Sequence, residues 1–287
     1  MGLTKYKKVI VIGYGTVTVK VLRTVFAKSS RYGYAIQFIE HEPHPFNTAK
    51  GFAQDNGIEC LVIEDKKILT EHLKKEVGAG PVLVISASNN YIFPKRLLDG
   101  GAVDVVNFHN ALLPEYPGRN APSWAIYNRE KKTGITWHYV TAEVDAGDII
   151  IQKVCDIPDY IKAYELAAKL MDLAAEAFDE IYESVLSGTA SRTVQQGNSR
   201  RHLYKSTEVP GDGSFELSDL AENIYRLLRA MDYGKNEIFP LPTTWFSGKR
   251  ISVKRYRIVE TDERIEGGNR IYLPLGNAYL MLRYAYC

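Results

Sequence analysis

Cysteine is scarce in this 287-residue chain, where Cys60, Cys155 and Cys287 are odd in number and stand far apart. That spacing gives neither a disulfide framework nor a zinc site, so no metal is expected, and a reducing cytoplasm is the expected compartment. An excess of one charge is also missing. The 36 basic and 34 acidic residues leave a formal net charge of +2, too even a balance for the electrostatic footprint of a nucleic-acid binder. Long apolar runs are absent as well: after Lys7 and Lys8 the apolar stretch 9–12 stops at Gly13, too short for a signal-peptide core or a membrane span. There is no internal repeat and no low-complexity tract. What is left is length enough to bury a full core and to carry a smaller second module.

The apolar residues are patterned for an α/β fold. Residues 8–12 read as a buried strand, Gly13-Tyr14-Gly15 as a tight turn and 17–27 as a helix; 36–40, 60–63 and 82–86 are further strands, with an amphipathic helix over 68–77. Such alternation predicts a doubly wound, mostly parallel, Rossmann-like sheet. An alanine-rich helix is expected over 164–187, closed by Gly188, followed by a polar linker over 191–213. Beyond it, 250–259 and 270–286 alternate apolar and polar residues around Gly267-Gly268-Asn269 and Gly276-Asn277, which predicts a small antiparallel β module. The expected domains are therefore 1–190, catalytic, and 214–287, a helix plus the β module.

The densest chemistry lies in residues 106–152. In 104–109 an apolar run ends in Asn107-Phe108-His109, as a strand does at the carboxyl edge of an α/β sheet, where ligands bind. A second strand, 135–140, carries His138 and leads through Thr141 and Val144 to Asp145-Ala146-Gly147. An amide, an imidazole and a carboxylate suffice for acyl transfer with no enzyme nucleophile. Asn107 can donate to a carbonyl oxygen as it becomes an oxyanion, His109 can shuttle the proton of an attacking amine, and Asp145 can orient the imidazole. The same residues also suit a strand end and a turn. Alternation along 135–140 puts Thr136 and His138 on one face and Trp137 and Tyr139 on the other; His138 then points at the site or packs in the core.

Four motifs, Asn107-Phe108-His109, Leu112-Leu113-Pro114, Gly134-Ile135-Thr136 and Asp145-Ala146-Gly147, resemble in order and spacing the signature of folate-dependent formyltransferases. That family includes methionyl-tRNA formyltransferase, glycinamide ribonucleotide formyltransferase, and the enzymes that formylate amino sugars and peptide-synthetase substrates. The resemblance implies Asn107, His109 and Asp145 as the catalytic triad and 10-formyltetrahydrofolate as co-substrate. It also makes the segment Ser88, Asn89, Asn90, Tyr91, Ile92, Phe93 similar to the one that receives the pterin, with His138, Thr141 and Val144 opposite. Residues 215–231 resemble the family's link to its C-terminal part.

Competing functions have weaker footing. Gly13-x-Gly15-x-x-Thr18 lacks the third glycine of a nicotinamide-dinucleotide turn, and Thr18 is expected to hold the helix off the strand. His41 and His44 invite a metal reading but lack a helical frame or a nearby cysteine, and are expected to line the loop near the acceptor. Hydrolysis of formyltetrahydrofolate goes, in the family, with an N-terminal regulatory module, for which a strand opening at Lys8 leaves no room; a non-catalytic binding module has no evident need of all three triad residues.

The acceptor is expected to be a small soluble amine, held by Tyr116, Arg119 and Asn120. Glu115 and Pro117 stand where the resemblance to the tRNA enzymes calls for arginines, and 40–47 contains no Lys or Arg, so no nucleic-acid partner is expected. The tyrosine-rich tail, with Tyr272, Tyr279, Tyr284 and Tyr286, is a possible homodimer face or an edge over the acceptor cleft.

Overall fold

Val9, Ile10, Val11 and Ile12 are completely shielded from solvent, as a strand covered by helices on both faces must be. They form the centre of β1 (Lys8–Gly13). A computed structural model describes residues 4–42, 48–196, 202–260 and 267–287. By its contacts the chain divides into two compact units, the first made of Met1–Gly118, Gly134–Cys155 and Ala168–Leu203, the second of Arg119–Thr133, Asp156–Ala167 and Tyr204–Cys287.

In the first unit β1 is followed by α1 (Gly15–Tyr32), β2 (Ala35–Glu40), α2 (Thr48–Asp55), β3 (Glu59–Val62), α3 (Lys66–Ala79), β4 (Val82–Ala87), α4 (Lys95–Leu98) and β5 (Val103–His109). With β6 (Lys132–Tyr139) and β7 (Ile149–Asp156) the strands are ordered β3-β2-β1-β4-β5-β6-β7. Pairing is parallel from β3 to β5, and antiparallel between β5 and β6. The chain thus winds outward from β1 in both directions, the expected doubly wound topology. The sequence pattern did not disclose β7, because Ile149-Ile150-Ile151 passes at once into mixed polar residues.

The turn after β1 departs from expectation. Thr18 does not hold α1 off the sheet: it is completely buried, and its hydroxyl lies 2.5 Å from the carbonyl oxygen of Ala87 and 2.8 Å from that of Tyr14. Close packing here comes from Gly13, where a Cβ would fall 1.8 Å from Ala87 O. On the face that α1 covers, the long helix α6 (Ala163–Ser187) lies beside α1, with Lys20 bonded to Asp172 and Lys28 to Glu183; Trp137 donates through Nε1 to Ala174 O of α6 at 2.9 Å and lies against Phe178. Each such fully buried side chain contributes about 1.5–3 kcal/mol.

The second unit holds a four-stranded sheet ordered β10-β11-β9-β8, from β8 (Thr243–Phe246), β9 (Lys249–Val259), β10 (Arg270–Leu275) and β11 (Ala278–Tyr286). All its pairings are antiparallel. Ile224, Leu227 and Leu228 of α7 (Ala221–Met231) pack with Ile251, Val253, Leu280 and Leu282. The short α5 (Ala121–Tyr127) belongs to the same unit. Among the described residues no helix is long and apolar enough to cross a membrane, and no group of three His, Cys, Asp or Glu side chains is placed to hold a metal ion.

Candidate active site

Strand register builds the site. Ser86 of β4 pairs with Asn107 of β5, and Asn107 pairs with His138 of β6. Three side chains on adjacent strands therefore form a row across one face, because residues level in a sheet project to the same side. Ser86 Oγ donates to Asn107 Oδ1 at 2.7 Å, which turns the amide nitrogen toward His138 Nε2, 3.1 Å away. The other ring nitrogen, Nδ1, faces Tyr139 O at 2.8 Å. A carbonyl oxygen can only accept, so His138 carries a hydrogen on Nδ1, and in its neutral form Nε2 accepts from Asn107. The second hydrogen on Asn107 Nδ2 is the one that can meet a carbonyl oxygen.

Asp145 joins the row to His109. Its Oδ1 lies 3.5 Å from His138 Nε2 and its Oδ2 lies 3.5 Å from His109 Nδ1. Oδ2 also accepts the backbone N–H of Gly118 at 2.8 Å. The opposite edge of the His109 ring, Nε2, donates to Tyr116 O at 2.8 Å. Both imidazoles are buried, with His138 2% and His109 5% exposed. Burial opposes the charge on Asp145, but the neighbouring His109, the Gly118 amide and His138, whose Nε2 turns from acceptor to donor toward the carboxylate when the ring is charged, outweigh it. They hold its carboxyl well below the usual carboxylate range.

The loop carrying Asp145 is fixed from several sides. Asp145 has a positive φ of 51°, a conformation that Asp tolerates at a cost. Gln195 Nε2 bridges the carbonyls of Asp145 and Gly147, at 3.0 and 2.7 Å, and Thr193 pairs with Ile149. Gly147 permits the approach: a Cβ there would lie 1.8 Å from Tyr139 O. The Leu112-Leu113-Pro114 loop is tied down similarly. Thr136 Oγ1 donates to Ala111 O at 2.7 Å and accepts from Leu113 N, while Gln152 Nε2 reaches Leu113 O and Thr136 Oγ1.

Asn107, His109, His138 and Asp145 are thus brought together, with Tyr116 present through its carbonyl. Ser86, Gln152 and Gln195 are the supporting residues that sequence reasoning missed. Ser86 had a usable signal, a polar residue level with Asn107 at the end of an apolar strand; Gln152 and Gln195 had none, since one sits in the unread β7 and the other in a polar stretch.

The 88–93 segment is mixed. Ser88 O accepts from Tyr14 N at 3.3 Å, and Asn89 Oδ1 accepts from Tyr91 N. Asn90 donates to Glu42. Tyr91 and Phe93 lie in a core cluster with Ile10, Ile39 and Leu69, and Tyr91 Oη bonds Thr70 at 2.7 Å, so their rings face the interior. Ile92 is 67% exposed. Thr141 Oγ1 donates to Glu143 O, and Val144 is half-buried. His41 is buried, with Nδ1 on Ile63 O and its ring edge-on to Tyr91; His44 lies outside the described residues. In the second unit Arg119 is exposed, its backbone N–H donating to Tyr204 O, and Asn120 stands before α5 at φ 57°.

Comparison with known proteins places the chain in a family. The profile of a family described as formyl transferase matches residues 7–181. The methionyl-tRNA formyltransferase of Acetivibrio thermocellus is 31% identical over 205 residues, 71% of this chain and 63% of that protein. That of Clostridioides difficile is 28% identical over 194 residues, 68% of this chain and 60% of the other. The chain therefore spans about six-tenths of the length of these curated relatives. Among solved structures, a sugar 3N-formyl transferase crystallised with dTDP and 5-N-formyl-THF covers 96% of this chain and 97% of its own at a TM-score of 0.68 and 16% identity. The N-formyltransferase from Helicobacter canadensis, in complex with folinic acid and dTDP-3-aminofucose, covers 98% and 100% at a TM-score of 0.67 and 14% identity. Such low identity speaks for the fold alone. The profile match, which takes in the whole of the His109, His138 and Asp145 cluster and more than half of the residues, is what decides the family: this chain belongs to the formyl transferase family.

Proposed function

We propose that the chain transfers the formyl group of 10-formyltetrahydrofolate to the amine of a small soluble acceptor, such as an amino-sugar nucleotide, an amino acid or a peptide precursor. The observation that carries this reading is the convergence of Asn107, His109, His138 and Asp145 on adjoining strand ends. The acceptor nitrogen attacks the formyl carbon, and the formyl oxygen becomes an oxyanion that Asn107 Nδ2 receives, an interaction worth about 3 kcal/mol in comparable sites. His109, with Asp145 behind it, takes the proton from the attacking nitrogen. Collapse of the tetrahedral centre breaks the bond from carbon to N10 of the folate, and N10 takes the proton. No bond to the enzyme forms at any stage.

In this reading the acceptor amine replaces Tyr116 O as the partner of His109 Nε2; the ring then takes the tautomer with its hydrogen on Nδ1, toward Asp145, which leaves Nε2 free to accept the proton, and Arg119 and Asn120 hold the rest of the acceptor. The pterin lies against Ser88, Asn90, Tyr91, Ile92 and Phe93 on one side and His138, Thr141 and Val144 on the other. With the rings of Tyr91 and Phe93 in the core, those two contribute backbone amides and carbonyls, a suitable match for a flat, edge-polar ring. Calorimetry with unreactive 5-formyltetrahydrofolate is expected to give saturable binding. Binding of NAD or NADP without binding of the folate overturns the proposal.

A second reading, methionyl-tRNA as acceptor, is favoured by the names of the sequence relatives. Against it stand Glu115 and Pro117 beside the catalytic loop and the even charge balance. The two readings separate in a release assay: tetrahydrofolate set free with amino-sugar nucleotides or amino acids supports the first. Formylation of methionyl-tRNA at physiological salt, falling steeply as salt is raised, establishes the second.

A further inference from the structure

The second unit contains a cavity of about 260 Å³ into which Arg129, Lys131, Arg226 and Arg229 all contribute. None of them belongs to the Asn107, His109, Asp145 cluster, and the proposed transfer chemistry uses none of them. Arg129 and Arg226 both donate to one oxygen, Asn223 Oδ1, at 2.7 and 3.1 Å. Two like charges are thereby drawn onto a single neutral acceptor, an arrangement that is unfavourable unless an anion joins them. Arg229 is 9% exposed and spends one terminal nitrogen on Ile161 O at 2.8 Å. Its Nε, like that of Arg226, is buried with no hydrogen-bond partner. Buried cationic donors left unsatisfied are costly.

Of the acidic residues around the cavity, Asp159 acts on Arg229 and offsets part of the effect of its burial. Asp159 lies 3.0 Å from Lys131, in a pair that leaves both side chains well exposed. Glu222 is exposed. The charges acting on Arg226 are those of Arg129 and Arg229, which add to burial in lowering its pKa, with Tyr127 opposing. We propose that this cavity is a binding site for a dianionic phosphate group, clamped by Arg129, Arg226 and Arg229. Guanidiniums present several N–H donors in a planar fork that matches phosphate oxygens in pairs. Three of them suit the three terminal oxygens and nearly double charge of a phosphate better than the two oxygens of a carboxylate. The volume sits just under the about 300–1,000 Å³ of sites that enclose drug-sized ligands, which fits a phosphate on a small body and not a whole coenzyme.

The test titrates the full chain with inorganic phosphate, with glycerol phosphate and with succinate, by calorimetry in buffers matched for ionic strength with sodium chloride. Saturable binding of a phosphate is expected, weakened tenfold or more in Arg129→Gln and in Arg226→Gln, and retained in His109→Asn. The tighter of the two phosphates tells whether the free ion or a monoester is the natural occupant. Arg129 is exposed, so its variant keeps the test valid should Arg226→Gln fold poorly, which circular dichroism reports. Absence of saturable phosphate binding, binding undiminished in Arg129→Gln, binding abolished in His109→Asn, or tighter binding of succinate each overturns the proposal.

Discussion

Two carboxyl edges of one sheet, the end of β1 and the end of β5, use polar residues in opposite ways. At β1 the polar groups are consumed by the fold: Gly13 makes room for Ala87 O, and the Thr18 hydroxyl bonds that same oxygen. At β5 the polar groups are ionisable and turned upon one another, with Asp145 facing two imidazoles and Asn107 held by Ser86. A buried carboxylate between two histidines is a poor way to stabilise a protein, since desolvation offsets much of the attraction. The difference teaches that a strand end is a candidate site when its polar groups are charged and arranged beyond what packing needs.

Substitutions at the β5 edge should sharpen that contrast most. His109→Asn, Asn107→Ala and Asp145→Ala are each expected to lower turnover by about a hundredfold or more with folding intact, since each acts on charge that develops in transfer. Their combined loss should be less than the product of the single losses, as for residues that act as a unit. Steady-state kinetics with circular dichroism on the same preparations checks both points. Gly13→Ala should do the reverse. Its Cβ meets Ala87 O, so about 2–3 kcal/mol of stability is expected to vanish, while turnover per folded molecule stays close to wild type; urea denaturation and active-site titration separate the two.

Smaller effects follow. Arg119→Ala is expected to raise the acceptor KM about tenfold and leave folate affinity unchanged, the pattern of a lost substrate contact. Gln195→Ala frees the carbonyls of Asp145 and Gly147 and should cost about 1 kcal/mol of stability, with a turnover loss of a few fold that Gln195→Glu does not restore. Asp145 contributes to the pH dependence of stability, alongside Asp104 and Asp232, whose carboxyls are also held low. Because its folded pKa is depressed, its stabilising contribution is complete above the unfolded value of about 4 and is lost as pH falls further. The stability gap between wild type and Asp145→Asn should therefore narrow as pH falls below about 4, as thermal denaturation from about pH 5 downward will show.

Much of this was legible in the sequence because it rests on periodicity and on short motifs. The buried run of β1, the alternation in β6 that separates His138 from Trp137, and the motifs that carry Asn107, His109 and Asp145 all announce themselves locally. What was hidden depends on register or on distant partners. Ser86 matters only because β4 pairs level with Asn107. Gln195 matters only because the chain returns to the Asp145 loop fifty residues later. The rings of Tyr91 and Phe93 turn inward, which a run of alternating exposed and buried residues in a loop does not reveal. Thr18 was misread because a hydroxyl can join a helix to a strand as readily as glycine can let them touch.

The central claim is that the cluster at the end of β5 moves a formyl group from a reduced folate to an amine. Its most direct test is a single-turnover measurement with enzyme in excess over 10-formyltetrahydrofolate, following tetrahydrofolate release with and without an accepted amine, for wild type and His109→Asn. Release that requires the amine, and that slows about a hundredfold or more in His109→Asn while 5-formyltetrahydrofolate binds both proteins equally, is the predicted result. Near wild-type release by His109→Asn contradicts the account.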